Sequence, residues 1–210
     1  MRITVKAPTT CPWLKTRAYQ QQLASKNVGV RSFYSTEYAA YEREVMRTAE
    51  LARERGLDVR TVLLCAPGES PEEVRLILDA FPGVKKVRLI DWHRPNIDLL
   101  DISLRQGELA QRDLEVFLHH DDLRNIQTVP RNGADFAFAN KLFDLHDRTD
   151  TLRILMGISR CLNGNGMFFS YDYPFGDGGS FYELAALAGL TKIAERHLMR
   201  LLEISQKPAR

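Results

Sequence analysis

The spacing of apolar residues along this chain changes from segment to segment, and the changes outline its architecture. From Arg60 onward, short continuous apolar runs alternate with stretches whose apolar residues recur every three or four positions. The runs Thr61 to Cys65, Lys86 to Asp91, Leu114 to His119, Asp135 to Asn140 and Met167 to Asp172 have the length of buried strands. The intervening stretches read as amphipathic helices, notably Asn96 to Leu109 and Thr151 to Leu162. This alternation predicts a parallel sheet with helices on both faces. After Gly189 it breaks down: Thr191 to Lys207 reads as two strands with no helix between them, so they must pair antiparallel.

Upstream, Ser35 is placed to cap a helix reaching about Arg55, with Tyr38, Tyr41, Val45, Met46, Ala49 and Ala52 on one face and Gly56 as its stop. Ile3 and Val5 suggest a short strand, Arg17 to Ala24 a helix, and Asn27 to Tyr34 a linker. The expected division is an extension over 1–58, whose helix packs on or caps the active site, and a second unit over 59–210.

The junction after Cys65 carries the most chemical information. Ala66-Pro67-Gly68-Glu69-Ser70 is a tight turn between a strand and a helix, where open α/β sheets bind nucleotide-like ligands. Ser70-Pro71-Glu72-Glu73 then has the residues of a capping box, and Val74, Ile77, Leu78 and Phe81 supply the buried stripe of the helix it opens. Ser180 and Glu183 repeat the box before a helix ending near Leu187, and Asn163-Gly164-Asn165-Gly166 reads as a turn.

Composition narrows the function classes. Across 210 residues, 44% are hydrophobic and 27% charged, enough for an ordinary globular core. A formal net charge of +2 gives no general argument for nucleic acid or anionic membrane. Cys11, Cys65 and Cys161 are isolated and odd in number, which points to a reduced, cytoplasmic setting rather than a disulfide framework. No apolar run approaches the ~20 residues of a membrane span. The neighbours His119 and His120 invite a metal reading, but they point to opposite faces at a strand end and no third ligand is evident.

In this order, the elements resemble the class I S-adenosylmethionine-dependent methyltransferase family over roughly residues 36–210. Five stretches carry the resemblance: Val62 to Ser70, Val87 to Trp92, Val116 to Leu123, Ala134 to His146 and Cys161 to Phe169. It implies a Rossmann-like, seven-stranded, mostly parallel sheet with a terminal antiparallel hairpin, helices on both faces and an N-terminal helical extension. In the turn, Leu64, Ala66 and Ser70 replace the family's acid and two of its glycines, and Gly68 alone remains. The resemblance implies S-adenosyl-L-methionine as cofactor, held by Ala66, Pro67, Gly68 and Ser70 at its methionine end. Asp91 would take the ribose hydroxyls and Trp92 cover the adenine; Asp121 and Asp122 would border the adenine amino group, and Asn140 the methionine end. The Asp91 carboxylate suits the ribose because its two oxygens can accept both hydroxyls.

Methyl transfer needs an aligned acceptor lone pair and, for a hydroxyl or ammonium, a base. His146 and Asp172 are the catalytic candidates, and Tyr38, Tyr41, Tyr171 and Tyr173 are the candidate acceptor walls. The glycine-rich stretch Pro174 to Gly179 is a candidate cover. The expected activity is methyl transfer to oxygen or nitrogen of a small molecule. The alternatives are a non-catalytic scaffold of the same fold and a methyltransferase for RNA or protein. Absence of an Asn-Pro-Pro-Tyr sequence after the fourth run argues against a nucleic-acid acceptor. A nicotinamide oxidoreductase would require GxGxxG, which Ala66 to Pro71 does not supply.

Overall fold

The fold was analysed from a computed structural model, which describes residues 1–7, 38–68, 71–143, 146–172, 179–196 and 199–204. Ser70, Tyr173, the stretch 174–178, the candidate helix 17–24 and the linker 27–34 lie outside these residues. The chain order is β1 (Arg2–Lys6), α1 (Tyr38–Glu54), β2 (Thr61–Cys65), α2 (Glu72–Ala80), β3 (Lys86–Asp91), α3 (Arg94–Gln106), β4 (Glu115–His120), β5 (Ala134–Asn140), α4 (Arg148–Cys161), β6 (Leu162–Tyr171), α5 (Gly179–Leu187), β7 (Leu190–Arg196) and β8 (Met199–Ile204).

All eight strands form one sheet in the order β1-β4-β3-β2-β5-β6-β8-β7. Strands β1 to β6 pair in parallel, and β8 pairs antiparallel with both β6 and β7. The expected seven strands thus become eight: Arg2–Lys6 adds an outer edge beside β4, with Ile3 opposite Val116 and Val5 opposite Leu118. The terminal hairpin forms as expected, with its second strand inserted between β6 and the first.

Each face of the sheet buries its own core. On one side, Val62, Leu64, Val87, Leu89, Val116, Phe136, Phe138 and Phe169 meet Tyr41, Val45 and Ala49 of α1, Ile77 of α2 and Ile97 and Leu100 of α3. On the other, Leu63, Ile90, Ala137 and Phe168 meet Ile154, Leu155 and Ile158 of α4 and Phe181 and Leu184 of α5. Continuous apolar runs form the central strands because successive side chains point to opposite faces and both faces are covered. Met46, placed on the buried face of α1 by its spacing, is 40% exposed, and Thr48 is buried there instead.

Two local expectations change. The helix starts differ from those read in sequence: α2 begins at Glu72 with Pro71 at its N-cap and α5 begins at Gly179, while Glu73 accepts a hydrogen bond from the Tyr41 hydroxyl and Glu183 pairs with Arg148 at 3.1 Å. The stretch 163–166 is part of β6, extended and set off by a register shift between Ala134 and Phe136, rather than a free turn. The link from β4 to β5 contains only a 3-10 turn, Leu123–Asn125.

An aromatic chain joins the layers on the α1 side. Phe138 lies 4.6 Å from Phe136, 5.7 Å from Phe81 and 5.7 Å from Phe169, measured between ring centroids. Phe138→Ala is expected to destabilise the fold by about 3–5 kcal/mol, because the rings around the cavity cannot all collapse into it; urea denaturation followed by circular dichroism measures this.

Candidate functional site

The chain leaves β2 towards β3 and β4 on one side, then returns to place β5 on the other side of β2. Adjacent strands whose connections run in opposite directions leave a crevice at their carboxyl ends, where open α/β sheets hold ligands. The residues that follow β2 and β5 therefore define the candidate site.

Ala66, directly after β2, has φ of 55°, and Gly68 has φ of 70°. The left-handed region costs a residue with a Cβ roughly 1–2 kcal/mol, so the chain adopts at Ala66 a conformation that suits glycine. The Ala66 amide is anchored to the Ile90 carbonyl at 2.8 Å, which ties the turn to β3. Pro67 is buried, whereas a Cβ built on Gly68 would meet no atom within 4 Å, so there is open space over this glycine. Across the crevice, Lys141 follows β5 with φ of 50°, and its amide donates to the Tyr171 carbonyl at 2.8 Å. Asn140 precedes this bend, and its buried Oδ1 has no hydrogen-bond partner among the described residues.

Asp91 ends β3 beside the turn and is 2% exposed. Its carboxylate accepts from the His93 amide at 2.8 Å, from the Asn96 side-chain amide at 3.0 Å and from the Gly68 amide. Burial raises its pKa, opposed by these hydrogen bonds and by His93. Asp91 thus couples the turn after β2 to the start of α3. Trp92 is half-buried, with its ring centroid 5.2 Å from that of His93, and its carbonyl accepts the Nε2–H of His120 at 3.0 Å.

Other candidate residues have structural partners. Asp121 is fully buried, and its carboxylate accepts from the amides of Asp122, Gln127 and Thr128 and from the Thr128 hydroxyl, at 2.7 to 2.9 Å. Those four donors hold the 121–128 loop and occupy the lone pairs expected to face adenine. Asp122 caps the 3-10 turn and pairs with Arg124, which reaches Asp150 of α4 at 3.0 Å. The Thr128 hydroxyl donates to Asp121 and so accepts the Nδ1–H of His119 at 2.8 Å. Burial, with Arg88 and Lys6 nearby, lowers the His119 pKa to about 3, which keeps the ring neutral.

Asp172, the candidate base after β6, is 1% exposed. It accepts the Phe143 amide at 2.9 Å and the Ser170 hydroxyl. It clamps the ends of β5 and β6 together, and Phe143 in turn accepts the His146 amide through its carbonyl at 3.2 Å. His146 immediately precedes Asp147, the N-cap of α4, whose side chain accepts the Asp150 amide. Tyr41 and Tyr171 meet edge-on at 5.4 Å, with both rings buried in the core; Tyr38 is partly buried against the same core. The structure thus gathers Ala66, Gly68, Asp91, Trp92, Asn140, Tyr171 and Asp172 at one end of the sheet. Asp121 and Asp122 stand at the same end but are committed to their loop. Asn96 and Glu73 were not singled out for the site from sequence. An amide five positions after Asp91 is the only sequence sign of the first.

Among the described residues, no three His, Cys, Asp or Glu side chains cluster to hold a metal ion, and no helix is long and apolar enough to cross a membrane.

This strand order and crevice, with an added edge strand, define the class I S-adenosylmethionine-dependent methyltransferase fold, and solved structures share it. A sugar N-methyltransferase from Streptoalloteichus sp ATCC 53650 matches with a TM-score of 0.62 and 13% identity, over 84% of this chain and 92% of that one. The 1,6-didemethyltoxoflavin-N1-methyltransferase of Burkholderia thailandensis, solved with its substrate and S-adenosylhomocysteine, matches with a TM-score of 0.60 and 16% identity, over 96% and 93%. A candidate sarcosine dimethylglycine methyltransferase from Galdieria sulphuraria matches at 0.56 and 18% identity, over 71% of this chain and 63% of that longer protein. No protein-family model matches the sequence. No curated protein matches it by sequence.

Substitutions at two positions test the site's construction. Ala66→Gly is expected to leave stability unchanged or raise it by up to about 1 kcal/mol, and Ala66→Val to lower it by more than about 1 kcal/mol, since a β-branched residue resists positive φ. Asp172→Ala is expected to cost about 2–3 kcal/mol by leaving the Phe143 amide and Ser170 hydroxyl without their acceptor. Thermal denaturation of the purified variants measures both.

Proposed function

We propose that this chain is an S-adenosylmethionine-dependent methyltransferase acting on oxygen or nitrogen of a small molecule. The observation that carries the reading is the crevice between β2 and β5. Its turn takes left-handed backbone at Ala66 and Gly68, with no described atom within 4 Å of a Cβ placed on Gly68, and the buried Asn140 Oδ1 at the end of the next strand has no hydrogen-bond partner among the described residues. Ala66, where the family has glycine, still takes left-handed backbone, which favours a binding domain over a scaffold that has lost its site. The solved relatives of this fold that methylate a sugar or a toxoflavin precursor support a small-molecule acceptor.

The bound cofactor would supply a methyl made electrophilic by its sulfonium. The chain's residues bind, orient and exclude water. The turn after β2 offers backbone groups to the methionine end, with Asn140 opposite. Asp91 takes the ribose hydroxyls by exchanging the Asn96 amide for them, because its present donors leave it few free lone pairs. Trp92 flanks the adenine. Asp172 acts through backbone: it fixes Phe143, and Phe143 fixes the chain entering His146. His146 would then take the acceptor's proton, since imidazole titrates near working pH.

Isothermal titration with S-adenosylmethionine and S-adenosylhomocysteine tests the reading directly, and absence of binding up to about millimolar ligand would overturn it. Asp91→Ala is expected to weaken binding at least tenfold, the equivalent of about 1.4 kcal/mol. Asn96→Ala is expected to leave affinity equal or tighter, because its amide competes with the ribose. Equal losses in both variants would show that the pair serves only the fold.

A further inference from the structure

One acidic side chain at the crevice has no task in the account above. Glu73 lies in the first turn of α2, directly beyond the turn that follows β2. Its Oε1 accepts the Tyr41 hydroxyl from α1, and the Tyr41 ring stands edge-on to Tyr171, 5.4 Å away at the crevice end of β6. Tyr41 is 1% exposed, so the hydroxyl that holds Glu73 is itself fixed by packing. The carboxylate is thereby pinned between α1, α2 and the end of β2.

The charges around Glu73 do not neutralise it. Tyr38 of α1 and the Cys65 thiol at the end of β2 both feel the Glu73 charge, and Glu42 of α1 with Glu72 and Arg75 of α2 act on Tyr38 beside it. Arg75 is the only cation among these groups, and it faces Glu108 at 3.6 Å. No Lys or Arg among the described residues forms an ion pair with Glu73. Burial pushes its carboxyl up to about 7, with the Tyr41 hydrogen bond pulling the other way. A partly buried carboxyl of this kind gains most from a ligand that brings its own positive charge.

We propose that Glu73, held in place by Tyr41, is the counter-charge for the cationic methionyl end of the cofactor, its sulfonium or its α-ammonium. This rests on the cofactor assignment above and adds a residue, and a proton, to it. Below about pH 7 the free protein carries Glu73 protonated, and binding of a cation requires it to ionise. Binding therefore releases a proton in acid, and affinity falls as pH falls, by up to about tenfold per unit. The same group affects stability in the opposite sense. Its folded pKa lies above the ordinary value of 4.5, so its contribution is fully present below that value and is lost as pH rises from there through about 7.

Calorimetric titration of the full chain with S-adenosylmethionine and S-adenosylhomocysteine, from pH 6 to 8.5 in buffers of different ionisation enthalpy, tests this. The wild type is expected to release up to about one proton more at pH 6 than Glu73→Gln, and to lose about fivefold in affinity between pH 7 and pH 6. Glu73→Gln should bind about tenfold more weakly at pH 8, with that slope removed. Tyr41→Phe keeps the ring but removes the hydroxyl, and should move the midpoint of the slope to higher pH. A slope seen with both ligands assigns the charge to the ammonium, and a slope seen with S-adenosylmethionine alone assigns it to the sulfonium; either supports the proposal. Folded Glu73→Gln that matches wild type in affinity and proton release at every pH overturns it while leaving the cofactor assignment intact. Absence of binding by wild type overturns both.

Discussion

The parallel pairing of β2 with β5 is the constraint on which the rest of this molecule depends. Val62 to Cys65 lie opposite Phe136 to Ala139, and these two strands form the middle of an eight-stranded sheet. Because the chain winds away from this pair in both directions, no crossover helix roofs its carboxyl end. The backbone bends at Ala66 and Lys141, both in left-handed conformation, are two sides of the opening that results. The cores on the two faces pack the pair against its helices, which holds the two strand ends beside the opening.

Around that opening, polar groups divide into those spent on building it and those left over. Asp121, Asp122 and Asp172 are saturated by local amides, hydroxyls or an arginine, and they behave as fasteners. Asp91 is intermediate, since the donors it holds come from the turn and from the helix that frame the crevice. Among the described residues, the Asn140 oxygen and the Glu73 carboxyl are left without full compensation. Buried polar groups are ordinarily satisfied, so under the proposed reading the uncompensated groups are the ones offered to a ligand.

The sequence reveals the fold more fully than the site. Runs such as Val62 to Cys65 are apolar at every position because both faces are covered, and that pattern survives without knowledge of neighbours. The hairpin after Gly189 follows from two strands with no room for a helix. The edge strand Arg2–Lys6 carries only a short alternation with charges at both ends, so its pairing with β4 depends on a partner more than a hundred residues away. Site residues are legible by position and not by state. Spacing puts Asp121 at the end of a strand, but its four donors come from a loop whose geometry has no periodic signature. Glu73 has the sequence context of a cap, and only the fold brings Tyr41, 32 residues earlier, close enough to claim it.

The insertion of β8 between β6 and β7 has a consequence for biosynthesis. Strand β7 pairs only with β8 among the described strands, so it has no seat on the sheet until the following strand has emerged and docked. On the ribosome, β6 must wait with one edge open while both hairpin strands are made, and an open parallel edge attracts other chains. Closing that edge late makes the docking of β8 the step that separates a nascent sheet prone to association from one whose β6 edge is covered.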